Sequence, residues 1–301
     1  MVQLRFQPTL LNTVSFKKWT LKPPSKTFKQ HDNLSVRLAT TRRELRAVQA
    51  LRYQVFFEEM SARSHWGQKL FKRDADRYDG ICEHLILTVD GPAEGVTKKA
   101  RLPNGETIVG CYRLLHQEAA HRDKGFYSTG EFDLNPMLER AGLGLRFMEL
   151  GRSCVAQHYR TKHGIDLLWS GLGHIVNEYG VDALLGCASF PTTDVTKIAE
   201  PLSLLYHNFR ATGPWEVRAL DKRYVNMNML AADRIDKKRA MRGLPPVLRG
   251  YIRMGCMIGD GAVIDYDFGT TDVFVLMPLT CADDRYLSKF ADRKPGKAAH
   301  E

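Results

Sequence analysis

From Leu34 the chain alternates apolar and polar positions through SVRLAT, the period-two signature of a strand, and Thr40 and Thr41 stand where a helix cap belongs. The next run, RRELRAVQALRYQVFFEEM, spaces Leu45, Val48, Leu51, Val55 and Phe56 mostly three and four apart, so it predicts an amphipathic helix. HLILTVD and TIVGCYRLL read as two strands of a hairpin joined through the Gly-, Pro-, Asn- and Lys-rich stretch 91–107. His116 to Lys124 reads as a basic loop, followed by FYSTGEFDLNPMLE. FMELGRSCV then reads as an interior strand, and DLLWSGLGHIVNEYG as a helix, with Leu167, Leu168, Leu172, Ile175 and Val176 on one side and Gly180 as its stop. DALLGCASF is almost wholly apolar, which predicts a strand buried on both faces. IAEPLSLLYHNF looks helical, Ala219 to Ala240 is rich in charges, Met and Asn, and LPPVLRGYIRMGC leads into a last strand, DVFVLMPL.

This order, strand, helix, hairpin, central strand, helix, strand, helix, is an α+β arrangement and not a βαβ repeat. At 301 residues and 44% hydrophobic composition, the chain has the length for one large domain with an extension. We expect a flexible basic arm over 1–33, a core over 34–200, an extension packed on it over 201–285 and a polar tail over 286–301. No run reaches the roughly 18 to 20 apolar residues that cross a bilayer, and the N-terminus lacks a secretory pattern. The six cysteines are dispersed without a CxxC pair. Together these predict a cytoplasmic protein with reduced thiols, peripheral to a membrane at most through Phe6, Phe16 and Trp19 of the arm.

Charge narrows the partners. Lys and Arg number 44 against 34 Asp and Glu, a net +10, so the field attracts anions: nucleic acid, acidic lipid, nucleotides or an acidic carrier protein. No helix-turn-helix, finger or aromatic RNA-binding signature accompanies that charge, and no nucleic-acid partner is expected. His158 with His163, and His116 with His121, are five apart and miss the four-residue spacing of a helical zinc pair, so no metal site is expected. GxSxG, GxxxxGK[ST] and strand-borne GxGxxG are absent from the sequence.

What remains is charge in unusual places. Glu149 and Arg152 interrupt an apolar strand, where charged side chains need a partner or a task. Upstream lies DADRYD, Asp74 to Asp79. In order along the chain, LRYQVFFEE, DADRYD, IVGCYRLL, GEFDL and ELGRSCV resemble the acyl-carrier-protein-dependent branch of the GNAT acyltransferase superfamily. Within it they are most similar to the bacterial L-ornithine N-alpha-acyltransferases, with N-acyl-amino-acid synthases and acyl-homoserine-lactone autoinducer synthases as cousins. Arg52 and Phe56, Asp76 and Asp79, Arg113, and Glu149 and Arg152 occupy the motif positions, and the resemblance spans about residues 35–190, with a further piece from Leu244 to Leu279. It implies a GNAT-like fold, a central mixed twisted sheet flanked by helices.

The resemblance further implies transfer of a (3-hydroxy) fatty acyl group from acyl carrier protein to the α-amine of L-ornithine, giving lyso-ornithine lipid, with no bound cofactor beyond the carrier's phosphopantetheine thioester. Such a reaction needs a carboxylate to deprotonate the amine, for which Glu149 is the candidate; its alternative is a structural partner of Arg152 or Arg113. Asp76 and Asp79 are either solvated surface charge or the holders of a cationic side chain, and Arg52, Arg113 and Arg152 complete the expected substrate-binding set. The glycine-rich pyrophosphate loop of coenzyme A enzymes is missing at HYRTKHGID, where Arg160, Lys162 and His163 suit an acidic carrier protein. Phe56, Trp169 and Phe190 are candidates for an acyl slot or for plain core. Rival readings are an N-acyl amino acid or homoserine lactone synthase, and a non-catalytic basic protein binding membrane or nucleic acid on the same scaffold.

Overall fold

Thr41 starts the first helix through a reciprocal cap: its hydroxyl accepts from Glu44 N at 3.1 Å while Glu44 Oε2 accepts from Thr41 N at 2.9 Å. Helix α1 (Arg42–Tyr53) continues into a π-helical turn, Gln54–Glu59. The chain was analysed as a computed structural model that describes residues 27–280 apart from 32, 61, 63–65 and 142–143. Most of the expected basic arm and all of the polar tail lie outside the described residues.

Among the described residues ten strands form the sheet: β1 (Lys29–His31), β2 (Leu34–Leu38), β3 (Glu83–Val89), β4 (Thr107–His116), β5 (Phe132–Asp133), β6 (Phe147–Val155), β7 (Ala183–Phe190), β8 (Arg218–Ala219), β9 (Met257–Asp265) and β10 (Thr270–Pro278). Their order is β1-β2-β3-β4-β6-β7-β10-β9-β8-β5, antiparallel except for β6 with β7 and β8 with β9. The other helices are α2 (Trp66–Phe71), α3 (Gln117–Arg122), α4 (Asn135–Ala141), α5 (Lys162–Tyr179), α6 (Ala199–Phe209), α7 (Lys237–Gly243) and α8 (Pro246–Arg253). Among the described residues, no helix is long and apolar enough to cross a membrane.

Strand alternation divides the core. Leu85, Leu87 and Leu114 face α5, α6 and α8 in one layer. Ile86 and Cys111 face Val48 and Leu51 of α1, while Leu115, Phe147, Leu185 and Phe274 pack with Phe126 and Phe132. A polar network separates the two apolar patches of that second face.

The register of β6 decides where a ligand can enter. Only Phe147–Glu149 pair with Ala183–Leu185 of β7; beyond them β6 follows β4 as far as Val155 and β7 follows β10 as far as Phe190. The sheet therefore parts immediately after Glu149. At that vertex the backbones approach so closely that a Cβ on Gly186 would lie 2.4 Å from Leu150 O, which reserves the position for glycine.

Two expectations need correction. The basic loop at His116 to Lys124 contains α3, and MIGDGAVID before the last strand is itself a strand, β9. Gly259, Asp260 and Gly261 break its alternation, and the glycines are there because Val217 O and the Tyr224 ring press on them. The stretch expected as an extension thus supplies two long strands to the sheet itself.

Candidate active site

Six charged side chains from four elements meet on the α1 face. Arg52, wholly buried on α1, donates Nε to Asp74 Oδ2 at 2.7 Å, Nη1 to Asp79 Oδ1 at 2.8 Å and Nη2 to Asp74 O at 2.8 Å. Asp79 also accepts from Gln49 Nε2 at 2.9 Å, Arg113 Nη1 at 3.1 Å and Asp76 N at 3.4 Å. Asp76 caps the turn Arg77–Gly80 and accepts from Arg113 Nη1 at 2.7 Å and Arg152 Nη2 at 3.4 Å. Three arginines and three aspartates thus neutralise one another, as buried charges must. Burial pushes the Asp79 carboxyl up, but Arg52, His84 and Arg113 outweigh it and hold the group well below the usual carboxylate range. Every Asp79 oxygen is occupied, which leaves none for a ligand.

Arg152 sits at φ +50°, a backbone conformation that a non-glycine residue adopts at a cost of order 1–3 kcal/mol. That turn of the strand lays the guanidinium between the Tyr127 ring, 5.0 Å away, and the Phe268 ring, 4.8 Å away, with Nε on Asp74 Oδ2 at 3.2 Å. Arg113 sits against the rings of Tyr78 and Tyr127 at 5.6 and 5.4 Å.

Glu149 pairs with no arginine. It is buried and accepts from Tyr127 N at 2.5 Å, Ser128 N at 2.8 Å and Ser128 Oγ at 2.5 Å, so it clamps the turn Tyr127–Gly130. Burial raises its carboxyl above the usual range, against the pull of those three donors. Ser128 Oγ also meets Cys187 Sγ at 3.3 Å, and Cys187 Sγ donates to Glu131 Oε2 at 3.6 Å. A line of polar atoms therefore runs from Glu149 through Ser128 and Cys187 to Glu131.

Cys187 belongs equally to a cleft. Where β6 and β7 part, Leu150, Leu184, Leu185, Cys187, Val275 and Met277, with Trp169, Tyr251 and Cys256 from the α5 and α8 side, enclose about 340 Å³ of empty space, mouth included. Its lining is almost wholly apolar, the character of a site for a hydrocarbon chain. Of the three aromatics proposed for such a slot, Trp169 lines it; Phe190 is packed into the core beside it, and Phe56 on the π-turn meets Phe268 edge to face at 6.1 Å.

These features coincide with what the chain is similar to. The acetyltransferase (GNAT) domain family matches residues 51–170. The L-ornithine N(alpha)-acyltransferase of Brucella abortus is 43% identical over 258 residues, 86% of this chain and 89% of that protein. That of Rhizobium meliloti is 42% identical over 277 residues, 91% and 90% of the two chains. The chain belongs to the L-ornithine N(alpha)-acyltransferase family. Among solved structures, FeeM, an N-acyl amino acid synthase from uncultured soil microbes, aligns over 83% of this chain and 94% of its own with 8% identity and a TM-score of 0.42.

In this family member the basic residues expected to meet a carrier lie together where β6 hands over to α5. Arg160 donates to Val155 O at 2.8 Å and Glu59 Oε2 at 2.6 Å, Lys162 pairs with Asp166 at 2.7 Å, and both, with His163, are exposed. Sequence reading missed a second group of carboxylates. Glu131, Asp265 and Asp272 each offer an oxygen within 4.8 Å of the others. They come from the turn after Ser128 and from both strands of the β9–β10 hairpin, and the one legible sign was an aspartate entering the apolar run of the last strand.

Proposed function

We propose that this chain transfers a fatty acyl group, 3-hydroxylated as in the resemblance above, from acyl carrier protein to the α-amine of L-ornithine. The observation that carries the reading is the apolar cleft where β6 and β7 part after Glu149, lined by Leu150, Trp169, Cys187 and Met277. Support for ornithine comes from the relatives' names. In this reading the acyl chain lies in the cleft between Trp169, Tyr251 and Met277. Arg152, the most exposed arginine of the network, takes the acceptor's α-carboxylate beside Arg113.

The α-amine attacks the thioester carbonyl; the N–C bond forms, the C–S bond breaks and the carrier's thiol leaves. The α-ammonium first loses one proton to solvent, and as the neutral amine attacks it passes a second proton to Ser128 Oγ while Ser128 passes its own to Glu149 Oε1. The proton returns to the departing sulfur. Backbone amides freed where β6 and β7 part face the developing oxyanion. The amphiphilic product goes to a membrane surface, where a net charge of +10 holds the protein against anionic lipid.

The donor is tested by comparing acyl carrier protein with coenzyme A thioesters of one chain. We expect kcat/KM to favour the carrier protein, with a KM for it that rises with salt, as an attraction with a Debye length of roughly 8 Å at physiological ionic strength requires. Equal use of both donors, or a salt-independent KM, would remove the carrier protein and the patch at Arg160, Lys162 and His163 from the reading.

Occupancy of the cleft is tested separately by Val275→Phe, which fills space between Trp169 and Met277. The preferred acyl chain should shorten by a few methylenes, each worth roughly 0.8 kcal/mol of burial. An unchanged chain-length profile in a folded variant would place the acyl chain elsewhere.

A further inference from the structure

Glu131, Asp265 and Asp272 form a second charged group on the same face, and unlike the arginine–aspartate network it is short of cations. Glu131 Oε1 receives Arg223 Nη2 at 3.2 Å, and Arg223 is more than a third exposed. Among the described residues this is a single guanidinium against three carboxyl groups, whereas Asp74, Asp76 and Asp79 have three. Two further atoms lack partners here. Asp272 Oδ1 and Thr270 Oγ1, the latter two residues away on the same strand face and opposite Asp265 in the β9–β10 register, are buried without a hydrogen bond of normal length, although the Thr270 and Ser189 hydroxyls lie near enough to pull the Asp272 carboxyl down. Thr270 is 5% exposed and Asp272 8%. Unmatched buried oxygens are destabilising, and a fold retains them where a ligand supplies the missing donor.

The position of the group relative to the cleft says which ligand. Glu131 Oε2 is 3.6 Å from Cys187 Sγ, which lines the cleft and touches Ser128. Asp265 Oδ1 accepts from Asp267 N at 2.8 Å and Phe268 N at 3.0 Å, and so fixes the turn that carries the Phe268 ring over Arg152. The triad is thus tied to Ser128 through Cys187 and to Arg152 through the turn that carries Phe268. Oxygens within 4.8 Å of one another suit an ammonium whose three N–H groups donate to one oxygen of each carboxyl at roughly 2.8 Å, and the unmatched Asp272 Oδ1 is available as one of the three.

We infer that Glu131, Asp265 and Asp272 bind the side-chain ammonium of the acceptor amino acid and so determine the enzyme's choice of a diamino acid. This rests on the acyl-transfer reading above and relocates the acidic subsite expected at Asp76 and Asp79. Titration has a matching direction. Burial and the neighbouring carboxyls push Glu131 up to about 7, against Arg223 and the Cys187 thiol, and Asp272 up to about 6, against the Thr270 and Ser189 hydroxyls and Arg223. Both carboxyls ionise as pH rises through that range, so selectivity for a cationic acceptor grows from pH 6 towards 8 and fades below it.

The experiment compares ornithine with norvaline, which has the same backbone and chain but no ammonium, using full-length wild type, Asp272→Asn, Asp265→Asn and Glu131→Gln. In wild type, kcat/KM should favour ornithine; in the variants the ornithine-to-norvaline ratio should fall by roughly ten- to a hundredfold, mostly through the ornithine KM, while the KM for the acyl donor holds. Variants that keep the wild-type ratio overturn the inference and leave the ornithine reading standing. Wild type that acylates neither amino acid overturns that reading instead. Should Asp272→Asn not fold, Asp265→Asn at its partly exposed position carries the same comparison. Loss of the ratio on chelation, restored by calcium or magnesium alone, would make the triad a metal site and also overturn the inference.

Discussion

Arg52→Ala should cost about 3–5 kcal/mol of folding stability, because it strips two buried aspartates of the guanidinium that neutralises them. Asp74 and Asp79 are 1% and 3% exposed, and Arg52 itself is at zero, so no water replaces the lost charge. Domains of this kind retain roughly 5–15 kcal/mol in total, so the variant should melt well below wild type or accumulate as insoluble protein. Chemical denaturation of the purified variant measures the loss. Lys72→Ala supplies the contrast: its ion pair with Glu58 at 3.1 Å joins two exposed side chains, and surface pairs contribute about 0–1 kcal/mol. An Arg52→Ala protein as stable as Lys72→Ala would mean that the network is wetter than its burial says, and its role would then be binding alone.

Most of the fold was legible because its signals are local. The stripe from Leu45 to Phe56, the apolar run at Ala183–Phe190 and the charges inside β6 each sit within a dozen residues of sequence, and helix and strand follow from their period. β9 was hidden because its glycines serve the residues packed against them and carry no apolar alternation. The site divides the same way. Arg52, Arg113, Glu149 and Arg152 stood out as charges among apolar neighbours, and the structure gathers the arginines with Asp74, Asp76 and Asp79. What each does was not legible, since Glu149 turned out to hold the Tyr127–Ser128 turn and not an arginine. A grouping such as Glu131 with Asp265 and Asp272 needs the β7–β10 pairing before it exists at all.

Glu149→Gln should lower kcat by roughly 10²- to 10⁴-fold if the carboxylate accepts the amine's proton. The variant also carries a structural penalty that must be separated from the chemical one. Glu149 accepts one backbone N–H on each oxygen, from Tyr127 and Ser128; an amide side chain presents one oxygen and one NH₂, so one backbone donor loses its partner at a cost of about 1–3 kcal/mol. A slow Glu149→Gln enzyme alone therefore does not assign the base. Ser128→Ala does, since it leaves Glu149 intact with both backbone amides and removes only the hydroxyl that links the carboxylate to Cys187 and the cleft. If the proton travels through Ser128, this variant should melt close to wild type yet lose at least roughly tenfold in kcat, with little change in the KM for the acyl donor. The wild-type rate should also fall as the medium is acidified, from a pH above the ordinary carboxylate range, because Glu149 must be ionised to accept and its burial raises the pH at which it protonates. A folded Ser128→Ala enzyme with the full rate at neutral pH would remove Glu149 from the chemistry and leave it as the clamp on the Tyr127–Gly130 turn.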